Sequence, residues 1–253
     1  MRDFSDDFVN IAHRGASAVA PENTMAAFEK AFELGADGVE CDVQLSKDGV
    51  PVLLHDYTLE RTTNSAGFVI DKKCAKLEKI DAGSWFSKKF KGERIPTLEA
   101  LLRYSRDKLL VNIELKKAPK PAHMVEAVVL LLQKLNIAHQ CLVTSFDVNA
   151  IILMNELFPA CRTGLLAKQL TPEIWHGPWS YVALRSDIVD IDVLNRALEH
   201  KKRAVIWTVD VEQEMMHLLS LGAGRLVTNY PDRYVVLLQN HFEMNKNNLT
   251  RKK

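Results

Sequence analysis

A (β/α)8 TIM barrel of the α/β class is the fold this sequence predicts, on three observations. Eight short β-branched runs alternate with amphipathic helical stretches along almost the whole chain, the pattern of a parallel sheet covered by helices. The length of 253 residues matches the roughly 250 that one such barrel uses. A doubly wound sheet closes at about five or six strands around a glycine fingerprint, and no GxGxxG occurs in the chain.

Strands are expected at 8–13, 38–43, 109–115, 141–145, 161–166, 180–184, 203–209 and 224–228. Helices are expected at 23–34, 97–106, 121–135, 147–157, 192–202, 211–221 and 231–242, with the 166–180 connection the least regular. The second strand runs into Ser46-Lys47-Asp48-Gly49, which is turn chemistry, and then into the apolar run Pro51 to Leu54, so the chain folds back as a hairpin. A turn centred between Asp48 and Gly49 sets residue 55 opposite residue 42, placing His55 beside Asp42. The rest, to Pro96, carries aromatics and turn residues without a long period. Residues 44–96 therefore read as a cap inserted between strands 2 and 3, over the barrel mouth where such folds place their sites. Residues 1–244 form one domain in this reading, and the polar stretch 245–253 is expected to be an unstructured tail.

Composition narrows the function classes. Lys plus Arg is 33 against 32 for Asp plus Glu, so there is no charge excess for nucleic-acid binding. The longest wholly apolar run, Ala127 to Leu132, is far short of the ~18 residues of a membrane span, and the acidic start without an apolar region argues against a secretory signal. A cytoplasmic protein is expected. Cys41, Cys74, Cys141 and Cys161 show no CxxC spacing and fall mostly in apolar segments, which predicts buried thiols.

Polar residues gather at the carboxyl ends of the expected strands. Alternate strand residues share a face, so Glu40 points with Asp42 while Cys41 points away, and Glu114 lies beside Lys116. Glu40, Asp42 and Glu114 in one mouth would repel one another without a cation, and their hard oxygens suit Mg²⁺ or Ca²⁺, with Mn²⁺ also possible. By charge alone, removing Asp42 should stabilise the metal-free protein. His13 and His55 can each move a proton near neutral pH, giving a general acid and a general base. The other six histidines lack such company. Trp207 fits two roles, an aromatic face for substrate carbons or a core residue.

His13-Arg14-Gly15, Pro21-Glu22-Asn23-Thr24, Glu40-Cys41-Asp42, His55-Asp56, Asp81-Ala82-Gly83-Ser84-Trp85, Ile95-Pro96-Thr97-Leu98, Glu114-Leu115-Lys116 and Trp207-Thr208-Val209, in this order, resemble the signature of the glycerophosphodiester phosphodiesterase family from about residue 9 to 232. The resemblance implies a (β/α)8 barrel that hydrolyses glycerophosphodiesters, such as glycerophosphocholine and glycerophosphoethanolamine, to sn-glycerol 3-phosphate and an alcohol. It also implies that Glu40, Asp42 and Glu114 bind one divalent cation, that His13 and His55 are the acid/base pair, and that Arg14 and Lys116 contact the phosphate. Glu22 and Asn23 match family positions, and Asn23 also suits the cap of the first helix. The family often has aspartate where this chain has Asn229; Asn229 suits a cap for the last helix, with Pro231 in its first turn. A cyclising phosphotransferase and a silent phosphoester-binding protein are the competing readings, the second weakened because no site residue is missing.

Overall fold

The computed structural model describes residues 2–250. Its elements in chain order are β1 (Phe8–Ala12), α1 (Met25–Glu33), β2 (Gly38–Leu45), β3 (Pro51–Leu53), α2 (Cys74–Leu77), α3 (Leu98–Ser105), β4 (Leu110–Leu115), α4 (Pro121–Leu135), β5 (Cys141–Ser145), α5 (Val148–Leu157), β6 (Arg162–Ala167), α6 (Glu173–His176), β7 (Tyr181–Arg185), α7 (Ile191–Glu199), β8 (Arg203–Trp207), α8 (Glu212–Ser220), β9 (Gly224–Thr228) and α9 (Pro231–Thr250). Neighbouring strands run β1-β9-β8-β7-β6-β5-β4-β2, and β1 pairs again with β2, so eight parallel strands close a TIM barrel. β3 is an antiparallel addition to β2. All eight expected strands are present. The irregular 166–180 connection holds a single helical turn, α6, pinned by the buried Trp175 and Trp179.

Strand alternation divides the core. Val39, Cys41 and Val43 of β2, with Val111, Ile113 and Leu115 of β4, pack outward against helices. Inward positions fill the lower barrel with Val9, Ile11, Leu110, Leu142, Tyr181 and Val205, closed from beneath by Phe4. Toward the carboxyl ends the same inward rows turn polar: Gly38, Glu40, Asp42 and Gln44 on β2, and Leu110, Asn112, Glu114 and Lys116 along β4 and just past it. A period of two thus carries one strand from core to site.

Helix starts follow local chemistry. Thr97 accepts from the Ala100 N–H at 3.2 Å, Asp147 from Asn149 at 3.0 Å and Asp190 from Val193 at 2.8 Å, so α3, α5 and α7 begin at side-chain caps close behind their strands or loops. Pro121 opens α4, and Asn136 ends it in the left-handed region.

Two local expectations are corrected here. Val43 lies opposite Leu53, Gln44 opposite Val52 and Leu45 opposite Pro51, so the hairpin centres on Asp48 and residue 42 faces Leu54, one place from the expected His55. Gly49 at φ +78° takes a conformation that other residues adopt at a cost, and the turn it serves is centred half a residue earlier, which moves each cross-strand partner by one place. The last helix also continues to Thr250, so the backbone of 245–250 is helical where an unstructured tail was expected; residues 251–253 lie outside the described residues.

Candidate active site

β2 and β4 lie side by side in register, with Asp42 next to Glu114 and Glu40 next to Asn112. Carboxylate oxygens of Glu40, Asp42 and Glu114 consequently all lie within 4.8 Å of one another.

His13 follows the last inward residues of β1, and its N–H donates to the Thr228 carbonyl at 2.8 Å. Its Nδ1 lies 2.8 Å from Asn229 Oδ1 and its Nε2 4.0 Å from Glu40 Oε2. Arg14 and Gly15 then turn the chain through positive φ, 54° and 81°. A Cβ on Gly15 would stand 2.6 Å from the Ala27 carbonyl carbon, so α1 packs there only against glycine. This turn aims the Arg14 N–H at Glu40 Oε2, 2.9 Å away, and its guanidinium at Glu22 Oε1 (2.9 Å) and Asp42 Oδ2 (3.1 Å). Asn23, also at positive φ, donates Nδ2–H to Asp42 Oδ2 at 2.8 Å and accepts the Asp42 N–H at 3.1 Å. Asn23 is therefore a clamp on Asp42 and not the helix cap; Thr24 caps α1.

His55 reaches the site despite the register difference. Gln44, two residues past Asp42 on the same face, donates Nε2–H to the carbonyls of Leu54 (2.7 Å) and Asp56 (2.6 Å), gripping the chain on either side of His55. His55 Nδ1 lies 2.6 Å from Asp56 Oδ1, and Arg61 ties Asp56 to Glu22 with contacts of 2.6 and 2.8 Å. With Asp56 ionised, its carboxylate accepts and the imidazole donates, leaving Nε2 as the free ring nitrogen.

The electrostatics separate the carboxylates. Burial, then Asp42 and Glu114, push the Glu40 carboxyl well above its usual range. Burial and Asp42 raise Glu114 as well. Burial opposes ionisation of Asp42 too, but Arg14, Lys116, His55 and the Asn23 amide outweigh it and hold its carboxyl low. Burial, with Arg14 adding to it, lowers the His13 imidazole to about 4, so the ring is neutral at neutral pH. Hydrogen bonds from Arg61 bring Asp56 down to about 2.

This donor set fits a hard divalent cation. Three carboxylates converge, and the buried Glu40 Oε1 has no hydrogen-bond partner among the described residues, which costs ~1–3 kcal/mol for a buried polar atom unless something binds there. Lys116 Nζ, 2.9 Å from Glu114 Oε1 and 3.3 Å from Asp42 Oδ1, supplies part of the counter-charge.

Trp207 lines the mouth with His13, Glu40 and Glu114. Its Nε1–H donates to the Ala183 carbonyl at 2.9 Å and its ring meets Phe146 edge-on, so it is anchored in the wall with the ring half exposed. The Asn229 side chain serves Ser17, His13 and Asp210 and does not cap α9, which starts at Pro231. Asp210, Gln44 and Ser17 escaped the sequence reading; for Gln44 the signal was present, because it continues the Glu40, Asp42 inward row. Beside Lys116 and Gln44 lies a groove of about 420 Å³, lined also by Leu45, Tyr57, Phe68, Ile70 and Met124.

The family model described as glycerophosphoryl diester phosphodiesterase matches residues 13–233. A glycerophosphodiester phosphodiesterase of Caldanaerobacter subterraneus subsp. tengcongensis is 36% identical over 240 residues, covering 90% of this chain and 97% of that one. One from Bacillus subtilis is 32% identical over 257 residues, covering 90% and 86%. Among solved structures, an Oleispira antarctica phosphodiesterase in complex with the product sn-glycerol-3-phosphate superposes with a TM-score of 0.85 at 28% identity, covering 90% of this chain and 96% of that one.

Proposed function

The chain belongs to the glycerophosphoryl diester phosphodiesterase family, and from that premise we propose a divalent-metal-dependent hydrolysis of glycerophosphodiesters such as glycerophosphocholine and glycerophosphoethanolamine. The products are sn-glycerol 3-phosphate and the alcohol, with His13 and His55 exchanging the protons. The observation that carries the reading is the three-carboxylate cluster with an unpartnered Glu40 oxygen beneath two histidines. The product named for the Oleispira antarctica relative supports the glycerol 3-phosphate end of the substrate.

Glu40, Asp42 and Glu114 hold the cation in this reading. When bound, a Mg²⁺, Ca²⁺ or Mn²⁺ ion polarises the phosphorus and offsets the charge that builds on its oxygens. Arg14 and Lys116, both cations already at the cluster, bind and orient the phosphate. His13 and His55 come from the loops after β1 and β3, one taking a proton from the attacking water or a neighbouring substrate hydroxyl and the other giving one to the leaving alkoxide. Trp207 presents its ring to the substrate's carbons. One barrel domain, with the insert 44–96, supplies all these groups. Among the described residues no helix is long and apolar enough to cross a membrane, and four free cysteines favour a reducing, cytoplasmic setting.

The test is release of glycerol 3-phosphate from chelator-stripped and re-metallated protein offered glycerophosphocholine, glycerophosphoethanolamine and glycerophosphoglycerol. Activity should vanish in excess EDTA and return with a divalent cation. Full activity in EDTA, with metal analysis showing none bound, overturns the reading.

A further inference from the structure

Asp210 lies just past β8 and outside the carboxylate cluster, yet a single side chain, that of Asn229, separates it from His13. Its Oδ1 accepts from the Asn229 N–H at 2.8 Å and from Thr228 Oγ1 at 3.1 Å, and its Oδ2 accepts from Asn229 Nδ2 at 2.6 Å. The other end of the same amide, Asn229 Oδ1, faces Ser17 Oγ at 2.6 Å and His13 Nδ1 at 2.8 Å.

We propose that Asp210 is a positioning residue: it fixes the Asn229 amide and thereby holds the His13 imidazole as the Nδ1–H tautomer, with Nε2 bare toward the carboxylate cluster. The reason is donor and acceptor arithmetic. An ionised carboxylate only accepts, so the Asn229 group facing Asp210 must be the NH₂. That leaves the amide oxygen for His13, and an amide oxygen only accepts, so the ring must donate from Nδ1. Ser17 places no constraint, since its hydroxyl rotates to donate. A neutral imidazole that donates from Nδ1 carries its lone pair on Nε2, the nitrogen 4.0 Å from Glu40 Oε2. The orientation needs no metal or substrate.

The inference rests on His13 serving as a proton-transfer group, but its principal readout does not. Long-range ¹H–¹⁵N NMR of the full-length protein at pH 8 should show His13 with a protonated, pyrrole-type Nδ1 and a pyridine-type Nε2. In Asp210→Asn the new NH₂ takes the position of Oδ2, because Oδ1 must still accept from the Asn229 and Thr228 donors. Asn229 must then turn its oxygen to that new amide and its NH₂ to His13, which moves the ring proton to Nε2. The kcat should fall about 10²–10⁴-fold, the scale of a lost or mis-tautomerised base, with KM little changed.

The exchanged pair Asp210→Asn/Asn229→Asp restores the pattern, because the introduced amide now donates to the introduced carboxylate, which accepts again from His13. It should recover the Nδ1–H spectrum and most of the rate. A wild-type His13 of the Nε2–H form, or doubly protonated at pH 8, overturns the proposal. So does Asp210→Asn that leaves the tautomer unchanged, or an exchanged pair that folds with the Nε2–H ring. If Asp210→Asn alone does not fold, the exchanged pair decides: Nδ1–H supports the proposal and Nε2–H ends it. Loss of activity in every variant with the tautomers as expected would count against the hydrolytic role of His13 and leave the positioning role standing.

Discussion

Asp42 and Glu40 are two residues apart on one strand face, yet their surroundings give them opposite roles in stability. Asp42 is held by Arg14, Lys116 and Asn23, so removing it leaves two partly buried cations with one carboxylate partner each, Glu22 for Arg14 and Glu114 for Lys116. Charge counting alone expects Asp42→Ala to stabilise the metal-free protein; the contacts reverse that sign. In EDTA, Asp42→Ala should lower the melting temperature, with a loss of about 2 kcal/mol or more, whereas Glu40→Gln should raise it, because it removes the repelled charge and keeps an oxygen for the Arg14 N–H. A higher melting temperature in both variants would show that repulsion dominates after all. The two histidines make a second residue-scale prediction. His13→Ala and His55→Ala should each keep the fold and bind metal but lose about 10²–10⁴-fold in rate. On a p-nitrophenyl diester, whose leaving group needs no proton, only the variant lacking the acid should recover; equal recovery of both refutes the pairing.

The insert acts as an element with its own small core. Val52, Leu54, Leu59, Val69, Leu77 and Ile95 pack together. Tyr57, Phe68 and Ile70 of its 55–70 stretch line the groove beside Lys116. Residues 81–86 instead form a turn closed on the Asp81 carboxylate, which accepts from Gly83, Ser84 and Gly92, and Trp85 is not among the groove's lining residues. Selectivity should therefore respond to Phe68→Ala and Tyr57→Ala more than to changes at Trp85. Bulky apolar alcohols should lose more kcat/KM than glycerophosphoglycerol, and an equal loss across diesters removes the groove from substrate selection. The clamp on this stretch is pH-sensitive. Asp56 titrates near 2 in the fold against an ordinary 3.8, chiefly because Arg61 hydrogen-bonds to it. A depressed carboxyl stabilises above its unfolded value and loses that contribution as pH falls through the folded one. The melting-temperature gap between wild type and Asp56→Asn should stay constant above about pH 5 and narrow toward pH 2; a gap that persists at pH 2 means the carboxylate charge is not what matters.

Across the whole molecule, stability and chemistry occupy opposite ends of one barrel. The lower end is closed by Phe4, fully buried, its ring 6.4 Å from that of Tyr181 and edge-on to it. The upper end collects like charges and an unpartnered oxygen, which no folding pressure would assemble by itself. Phe4→Ala should cost about 3–5 kcal/mol in denaturant unfolding while kcat and KM at a permissive temperature stay near wild type. A large kcat loss in the folded variant would show that the two ends are coupled.

The sequence by itself determined the closed barrel, the eight strands and the convergence of Glu40, Asp42 and Glu114 at the ends of neighbouring strands, because strand alternation is a local property and alternation alone sends i and i+2 to the same face. The insert's position was equally local, since turn residues and a missing helical period mark it. What the tertiary structure decided were contacts between segments far apart in the chain. The hairpin register shifted by one place through a left-handed Gly49. Asn23 was found to brace Asp42 across 19 positions, and Asn229 to stand between His13 and Asp210. A lone asparagine or aspartate in a loop looks alike whether it caps a helix, faces water or orients a catalytic ring. Its role depends on which donor or acceptor the folded chain sets against it, and no spacing within its own segment records that partner.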